Sequence, residues 1–396
     1  MKKIGLLPKL IIAIIIGVIL GKLDFIPLVK GMATFNGIFG NFLGFVIPLI
    51  IIGFVAPGIG DLGKGAGKVL GITALIAYFS TVFAGTMSFF VNSAIFPKIL
   101  VVGSMSLTDT SNPEHALLDG FFNIEMPPIM GVMTALLLAF TLGLGIAASE
   151  GNTIKKFMKE FQGIVEGLIK KMIIPMLPFH IAGIFANMAH AGQVETIMSV
   201  FFKVFIIIFT IHIVMIFLQY TVAGSLAGAN PIKLIRNMIP AYFTAVGTQS
   251  SAAAIPVTLE QTIKNGVENE IADFTVPLCA TIHLSGSTIT IVSCAMAVMM
   301  LNGVTITFVN ILGFILMLGI TMVAAPGVPG GAVMAALGLL ETMLGFTPTL
   351  ISLMIALYLA QDSLGTACNV TGDGAIAIIV NRISGNKLKT INGLVK

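Results

Sequence analysis

Unbroken apolar runs, among them Leu10–Leu20 and Val204–Leu218, set the limits on what this chain can fold into. They leave only 10% of the residues charged, against roughly a quarter in a soluble domain. Such a chain cannot cover a water-facing surface. The runs are continuous, whereas a membrane barrel needs apolar and polar residues in alternation. The expectation is an all-α polytopic membrane protein built as one large helical bundle. Apolar runs of at least ~18 residues mark the spans. They predict eight transmembrane helices at about 5–22, 34–60, 67–96, 128–149, 158–190, 196–227, 268–301 and 348–383. The polar stretch Val101–Pro113 reads as an external loop, and Glu150–Lys159 as a charged cytoplasmic one.

The basic residues cluster at segment ends: Lys2, Lys3 and Lys9; Lys155, Lys156 and Lys159; Lys233 and Arg236; Arg382, Lys387 and Lys389. Under the positive-inside rule these clusters are cytoplasmic, which puts both termini inside and the protein in the plasma (inner) membrane. Trp is absent and the bases are dispersed, so no nucleic-acid surface is expected. The first apolar run ends at Lys22 and Asp24 without an Ala-x-Ala-like cleavage site, so it reads as an uncleaved helix. Cys279, Cys294 and Cys368 lie in apolar segments with neither disulfide nor metal spacing.

Two further segments, Pro231–Lys264 and Val304–Phe346, have apolar flanks around a broken centre. The first centre is Gly247-Thr-Gln-Ser-Ser-Ala-Ala-Ala-Ile-Pro256, and the second is Ala324-Ala-Pro-Gly-Val-Pro-Gly-Gly-Ala332. Pro lacks a donor and Gly is flexible, so a straight helix breaks there. Broken backbone at membrane depth survives only inside protein or lining a cavity. Both segments are expected to be re-entrant helical hairpins with tips that meet mid-membrane; the plain alternative is a kinked span or a surface loop. Paired broken segments point to the binding site of a secondary transporter.

The last apolar segment carries Asp362, Thr366, Asn369 and Asp373 at steps of four, three and four, hence on one helical face. Ionisable groups at membrane depth are costly and are kept for ions or substrates. Asp362 suits the ammonium of a zwitterionic amino acid. Ser250 and Ser251, with the free amides of a hairpin tip, and the side-chain amide of Asn369 suit its carboxylate. A hard cation wants several oxygens, which Asp373 and unwound carbonyls near His283 and Asn369 can supply. A structural ion pair at Asp362, a solvated helix end at Asp373 and a core histidine at His283 remain the alternatives. His180, His190 and His212 have no comparable polar cluster around them in the sequence.

These motifs resemble the dicarboxylate/amino acid:cation symporter family over essentially the whole chain. The resemblance rests on Gly247-Thr-Gln-Ser-Ser-Ala-Ala-Ala-Ile-Pro-Val-Thr258, Pro277-Leu-Cys-Ala-Thr-Ile-His-Leu-Ser-Gly-Ser287, Gly327-Val-Pro-Gly-Gly331 and Asp362 to Asp373. It implies eight transmembrane helices plus two re-entrant hairpins in a glutamate-transporter-like elevator fold, a homotrimer in the lipid bilayer, and a gate in the second hairpin. The implied scaffold covers about 5–66 and 128–190, and the transport domain about 67–100 and 196–386. By resemblance the substrate-binding set is Ser250, Ser251, Ser287, Val328, Gly331, Asp362, Gly365, Thr366 and Asn369. The sodium set is Cys279, Thr281, His283, Asn369 and Asp373, with Tyr78 and Thr81 as partners from the third helix.

Two departures from the family pattern narrow the function. Acidic-substrate members carry Arg where Gly365 stands, and a second substrate carboxylate would here be buried unpaired, at a cost of several kcal/mol. The substrate expected is therefore a small neutral amino acid. His283 and Ser285 replace an Asn and an Asp that ligate sodium, so fewer coupled Na+ ions are expected than in acidic-substrate relatives. A proton-coupled carrier using His283 and an exchange-mode carrier are the rivals, with transport of acidic amino acids behind them. An intramembrane aspartyl protease needs Gly-x-Gly-Asp, and Val370 stands at the first of those positions. No enzyme and no organic cofactor is expected. A passive channel is disfavoured by the asymmetric hairpins and the zwitterion-shaped site.

Overall fold

The computed structural model describes residues 6–61, 67–100, 102–103, 118–149, 151–192, 194–304, 306–323, 325 and 329–385. These residues form helices and connecting segments with no β-strand. The helices are α1 (Leu6–Lys22), α2 (Ile26–Asp61), α3 (Gly67–Ile99), α4 (Val132–Ala148), α5 (Thr153–Leu168), α6 (Ile174–His190), α7 (Val194–Ala227), α8 (Pro231–Thr248), α9 (Ser251–Lys264), α10 (Asn269–Ile282), α11 (Ser285–Leu301), α12 (Phe308–Met322), α13 (Gly331–Leu344), α14 (Pro348–Leu359) and α15 (Asp362–Ile383). A π-helical turn, Ile169–Ile173, joins α5 to α6. Grouped by chain continuity, they make eight spans among the described residues: α1, α2, α3, α4, α5–α6, α7, α10–α11 and α14–α15. Two helical pairs, α8–α9 and α12–α13, remain. The protein is an all-α polytopic integral membrane protein.

Burial runs opposite to a soluble protein's. α11 and α15, which carry Ser285, Ser287, Asp362, Asn369 and Asp373, are almost wholly buried, whereas α3 and α7 expose Phe79, Phe83, Phe90, Phe202, Phe209 and Phe217. So large an apolar exterior is tolerable only against lipid. Between helices, close approach depends on small residues. A Cβ on Gly17 would stand 2.3 Å from the Ala182 carbonyl oxygen, and one on Gly21 would stand 2.1 Å from that of Ala186. This Gly-x-x-x-Gly seam lets α1 and α6 pack backbone to backbone. The paired positions also show that the two helices run parallel.

The first hairpin reverses at Gln249, which is left-handed (φ 52°). Ser250 caps α9 by accepting from Ala253 N. Pro256 lies within α9 and does not mark the break. The second hairpin restarts at Gly330, also left-handed (φ 74°), where a Cβ-bearing residue would be strained. Residues 326–328, which include the expected tip and Val328, lie outside the described residues.

Several boundaries differ from the sequence expectation. α2 begins at Ile26 rather than near 34, because Pro27 is tolerated in a first helical turn. The stretch expected to be a cytoplasmic loop is largely the start of α5, an amphipathic helix that buries Met158 and Val165 and sets Lys155, Lys156 and Lys159 on its polar side. Most of the expected external loop lies outside the described residues. Beyond it, residues 118–131 run without helix along α2 and α6, tied by paired hydrogen bonds of Leu118 with the Asn187 amide and by Phe121 N to Thr34 Oγ1. The span at 268–301 breaks at His283–Leu284, and that at 348–383 breaks at Ala360–Gln361. Asp362 is thereby the first residue of α15, where the helix dipole favours an anion.

Candidate functional site

The two breaks lie side by side. At the crossing of α11 and α15 a Cβ on Gly286 would stand 2.3 Å from the Gly365 carbonyl oxygen and 2.6 Å from Cys368 Cβ. Only glycine permits this approach. Asn369 then caps the start of α11. Its Oδ1 accepts from the N–H groups of Gly286 (2.7 Å) and Ser287 (3.2 Å), and its Nδ2 donates to Ser287 Oγ (2.9 Å). From α7, His212 Nε2 lies 3.0 Å from the Gly286 carbonyl and 3.2 Å from Thr290 Oγ1. Two helices thus hold the broken backbone of a third.

Asp362 is 5% exposed and has no cationic side chain within ion-pair distance among the described residues. The structural ion pair considered from the sequence is absent there. Gly330 N–H of the second hairpin donates to it, 2.7 Å from Oδ2. Tyr358, one turn upstream, is buried beside Asp362 and Ser287, and its hydroxyl makes no hydrogen bond of good geometry. Ser251, Ser363 and Thr366 are buried residues, and no hydrogen bond to their hydroxyls is found among the described residues. The result is a carboxylate without a counter-charge, several uncommitted hydroxyls and the restart of a hairpin, all next to backbone breaks. Such a set suits a small zwitterion and offers nothing to attack a bond.

Asp373 occupies a second cluster, about three turns further along the same face of α15. It is 1% exposed and is not a solvated helix end. Its Oδ1 lies 2.9 Å from His283 Nδ1. On the other side of the ring, Nε2 lies 3.1 Å from Ser80 Oγ and 3.3 Å from Gln219 Nε2. Gln219 Nε2 also donates to Ser80 Oγ (3.1 Å) and Ser285 Oγ (3.3 Å). An amide nitrogen only donates, so His283 Nε2 is the acceptor and Nδ1–H donates to Asp373. An N–H group stands where a cation would otherwise neutralise this carboxylate.

The remaining expected residues fall as follows. Gly331 opens α13 and is buried. Gly365 faces α11, where a Cβ would meet Thr290 Oγ1 at 3.4 Å. Cys279 is buried, and its carbonyl accepts from His283 N. Thr281 is exposed, its hydroxyl donating back to Leu278 O. The third-helix partner of His283 is Ser80. Tyr78, two residues away and so on another face, turns to the α12 carbonyl of Leu316. Thr81 is buried with its hydroxyl unpartnered. Sequence reasoning passed over Ser80, Gln219 and Tyr358, whereas Gly330 lies within the second-hairpin motif Gly327–Gly331 that it singled out.

A helical membrane bundle with paired hairpins and a site between broken helices defines a secondary transporter rather than an enzyme. The chain belongs to the sodium:dicarboxylate symporter family, which it matches over residues 6–383. It is also similar along nearly its full length to proteins named serine/threonine transporter SstT. That of Acinetobacter baylyi is 24% identical, with 96% of this chain and 98% of the relative covered. That of Streptococcus thermophilus (strain CNRZ 1066) is 24% identical over 93% and 94%, and that of Acinetobacter baumannii (strain AYE) is 26% identical over 94% and 95%.

Proposed function

We propose that this protein is a sodium-coupled symporter of small neutral amino acids, with serine and threonine foremost. The observation that carries this reading is Asp362, a buried carboxylate without a cationic partner at the start of α15. A substrate ammonium would neutralise it, and the Ser251, Ser363 and Thr366 hydroxyls would serve the rest of the zwitterion. Among the described residues no Arg or Lys pairs with Asp362 to receive a second substrate carboxylate. Gly365 brings no guanidinium to that place, which favours a neutral side chain over an acidic one. The relatives named serine/threonine transporters agree with that preference.

For the ions, Asp373 with carbonyls near Cys279 and Asn369 would ligate sodium through the oxygen that His283 leaves free. The Ser80–Gln219–His283–Ser285 cluster is linked by hydrogen bonds through Gln219 Nε2 but leaves Gln219 Oε1 buried without a partner among the described residues. A smaller sodium count than in relatives with a carboxylate at this position rests on Ser285 alone. Gly330 would act in the gate. Its N–H holds Asp362 while no ammonium is present, so substrate entry and movement of the second hairpin are linked.

Motion would follow an elevator scheme in a homotrimer. In support, α1 packs on α6, and α2 on α4, α5 and α6, while α15 packs on α7, α8, α9, α10 and α11. The two groups meet where α13 touches α2 and α4 and where α14 touches α6. His180 Nε2 lies 3.0 Å from Ser352 Oγ across that seam. Proteoliposome uptake of labelled serine, threonine, alanine and aspartate, under separately imposed sodium and pH gradients, tests the reading. Serine and threonine uptake that requires inward sodium is expected. Preferred aspartate uptake, or flux driven by pH and indifferent to sodium, overturns it.

A further inference from the structure

α1 leans on α6 but scarcely on α2, and an open apolar groove of about 1070 Å³ lies among the three. Its walls are Ile12, Ile16 and Leu20 of α1, Met32 and Phe35 of α2, and Phe179 of α6. Ile12, Ile16 and Phe179 are strongly exposed, and a Cβ on Gly31 would meet nothing within 4 Å, so among the described residues no side chain closes the gap. The groove has polarity at one end only. Lys9 of α1 and Lys170 of the π-helical turn line that end from opposite walls. Lys170 also pairs with Glu166 one turn earlier, and Lys171 is exposed next to it. The π-helical turn shifts the helical register where Lys170 enters the lining, and such turns recur at functional positions.

We propose that this groove binds one anionic phospholipid, its phosphate between Lys9 and Lys170 and an acyl chain along α1. From Lys9 to Leu20 the groove runs about 16 Å at 1.5 Å per residue, close to half of a hydrocarbon core of about 30 Å. That is the reach of a lipid from one leaflet; a helix of a second protein copy would run on through the bilayer. The lysine end is also the end from which α5 presents Lys155, Lys156 and Lys159, since α1 and α6 run parallel and α5 leads into α6. Basic pockets between helices on the cytoplasmic side favour anionic headgroups. The site is separate from the Asp362 and Asp373 clusters and does not depend on the substrate.

The test is native mass spectrometry of the full chain, purified from vesicles of equal phosphatidylglycerol and phosphatidylcholine and then progressively delipidated. Wild type is expected to retain one phosphatidylglycerol per chain with about tenfold preference over phosphatidylcholine. The double variant K9Q/K170Q is expected to lose the preference while holding either lipid weakly. Gly31→Phe, which fills the groove and leaves both lysines in place, is expected to lose both lipids. Thermal unfolding in detergent verifies that each variant is folded. Soluble glycerol phosphate is expected not to compete, because the acyl chain supplies most of the binding. Equal retention of the two lipids by wild type overturns the proposal, as does an unchanged preference in K9Q/K170Q. Displacement of the lipid by glycerol phosphate, or cross-linking of Ile16→Cys between two copies in place of lipid, overturns it as well.

Discussion

Replacing Asp362 by Asn removes one charge and almost nothing else. The side chain keeps its shape, and its oxygen can still accept from Gly330 N–H, now 2.7 Å from Oδ2, so the hairpin anchor survives. What disappears is the anion facing the substrate ammonium. Asp362 is 5% exposed and has no other cation among the described residues, so the bound pair is desolvated. Removing one partner of a buried charge pair costs about 3–5 kcal/mol. At 1.4 kcal/mol per decade that is a rise in Kd of roughly two to four orders of magnitude. Calorimetric titration of serine into detergent-solubilised protein in saturating NaCl measures it directly. A control separates charge from shape: glyceric acid replaces the ammonium of serine by a hydroxyl, and its weak binding should differ little between wild type and Asp362→Asn. Serine affinity within threefold of wild type would refute the placement of the ammonium at Asp362.

Gly286→Ala drives a Cβ to 2.3 Å from the Gly365 carbonyl oxygen, with helix backbone on both sides. A loss of about 3 kcal/mol, the upper part of the overpacking range, should appear as a lowered Tm in detergent; an unchanged Tm contradicts the crossing described. His283→Ala leaves Asp373 buried without its 2.9 Å donor and should cost about 1.5–3 kcal/mol, with His283→Gln recovering part of it. If a cation can take the place of the imidazole N–H, NaCl but not KCl should raise the Tm of His283→Ala; equal effects of the two salts count against Asp373 as a sodium ligand. Gly365→Arg supplies the guanidinium that a second carboxylate needs, so aspartate should begin to compete with labelled serine and serine uptake should fall. Unaltered competition would show that Gly365 does not set the substrate class.

The class of fold was legible because it depends on quantities a sequence states outright: the length of apolar runs and the scarcity of charge. The hairpins were legible because Gln249–Ser250 and the Pro/Gly cluster before Gly331 interrupt runs that are otherwise helical. Where each break falls was less legible. Pro256 stays inside α9, and the turn is made two residues after Gly247 by a left-handed glutamine, because tertiary packing on α15 decides which of several permissive residues gives way. The same holds for α15: the acidic stripe announced a functional face, but only the packing of α14 and α15 makes Asp362 a helix start and brings Gly330 N–H onto it.

What the sequence hid is the company His283 keeps. Its partners Ser80 and Gln219 come from α3 and α7, and no local pattern says which faces of those helices turn inward. A signal was nonetheless present in α7. His212 and Gln219 are seven residues apart, two turns along one face, in a stretch that is otherwise apolar. Polar side chains at membrane depth face the protein interior, so that stripe marks the face of α7 that packs on the broken helices. There His212 holds the Gly286 carbonyl and Gln219 holds Ser80 and Ser285. The His283 substitution follows from the same geometry. With Ser285 in place of a carboxylate, the Gln219 amide nitrogen links His283, Ser80 and Ser285, while Gln219 Oε1 is buried without a partner among the described residues. A cation placed among Gln219 Nε2, His283 Nε2 and Ser80 would face an N–H group aimed at it. The loss of one carboxylate and the gain of one imidazole relative to the family pattern are read as a single change in chemistry; among the described residues it leaves Asp373 as the one carboxylate near the α10–α11 break, where sodium coupling is proposed to act.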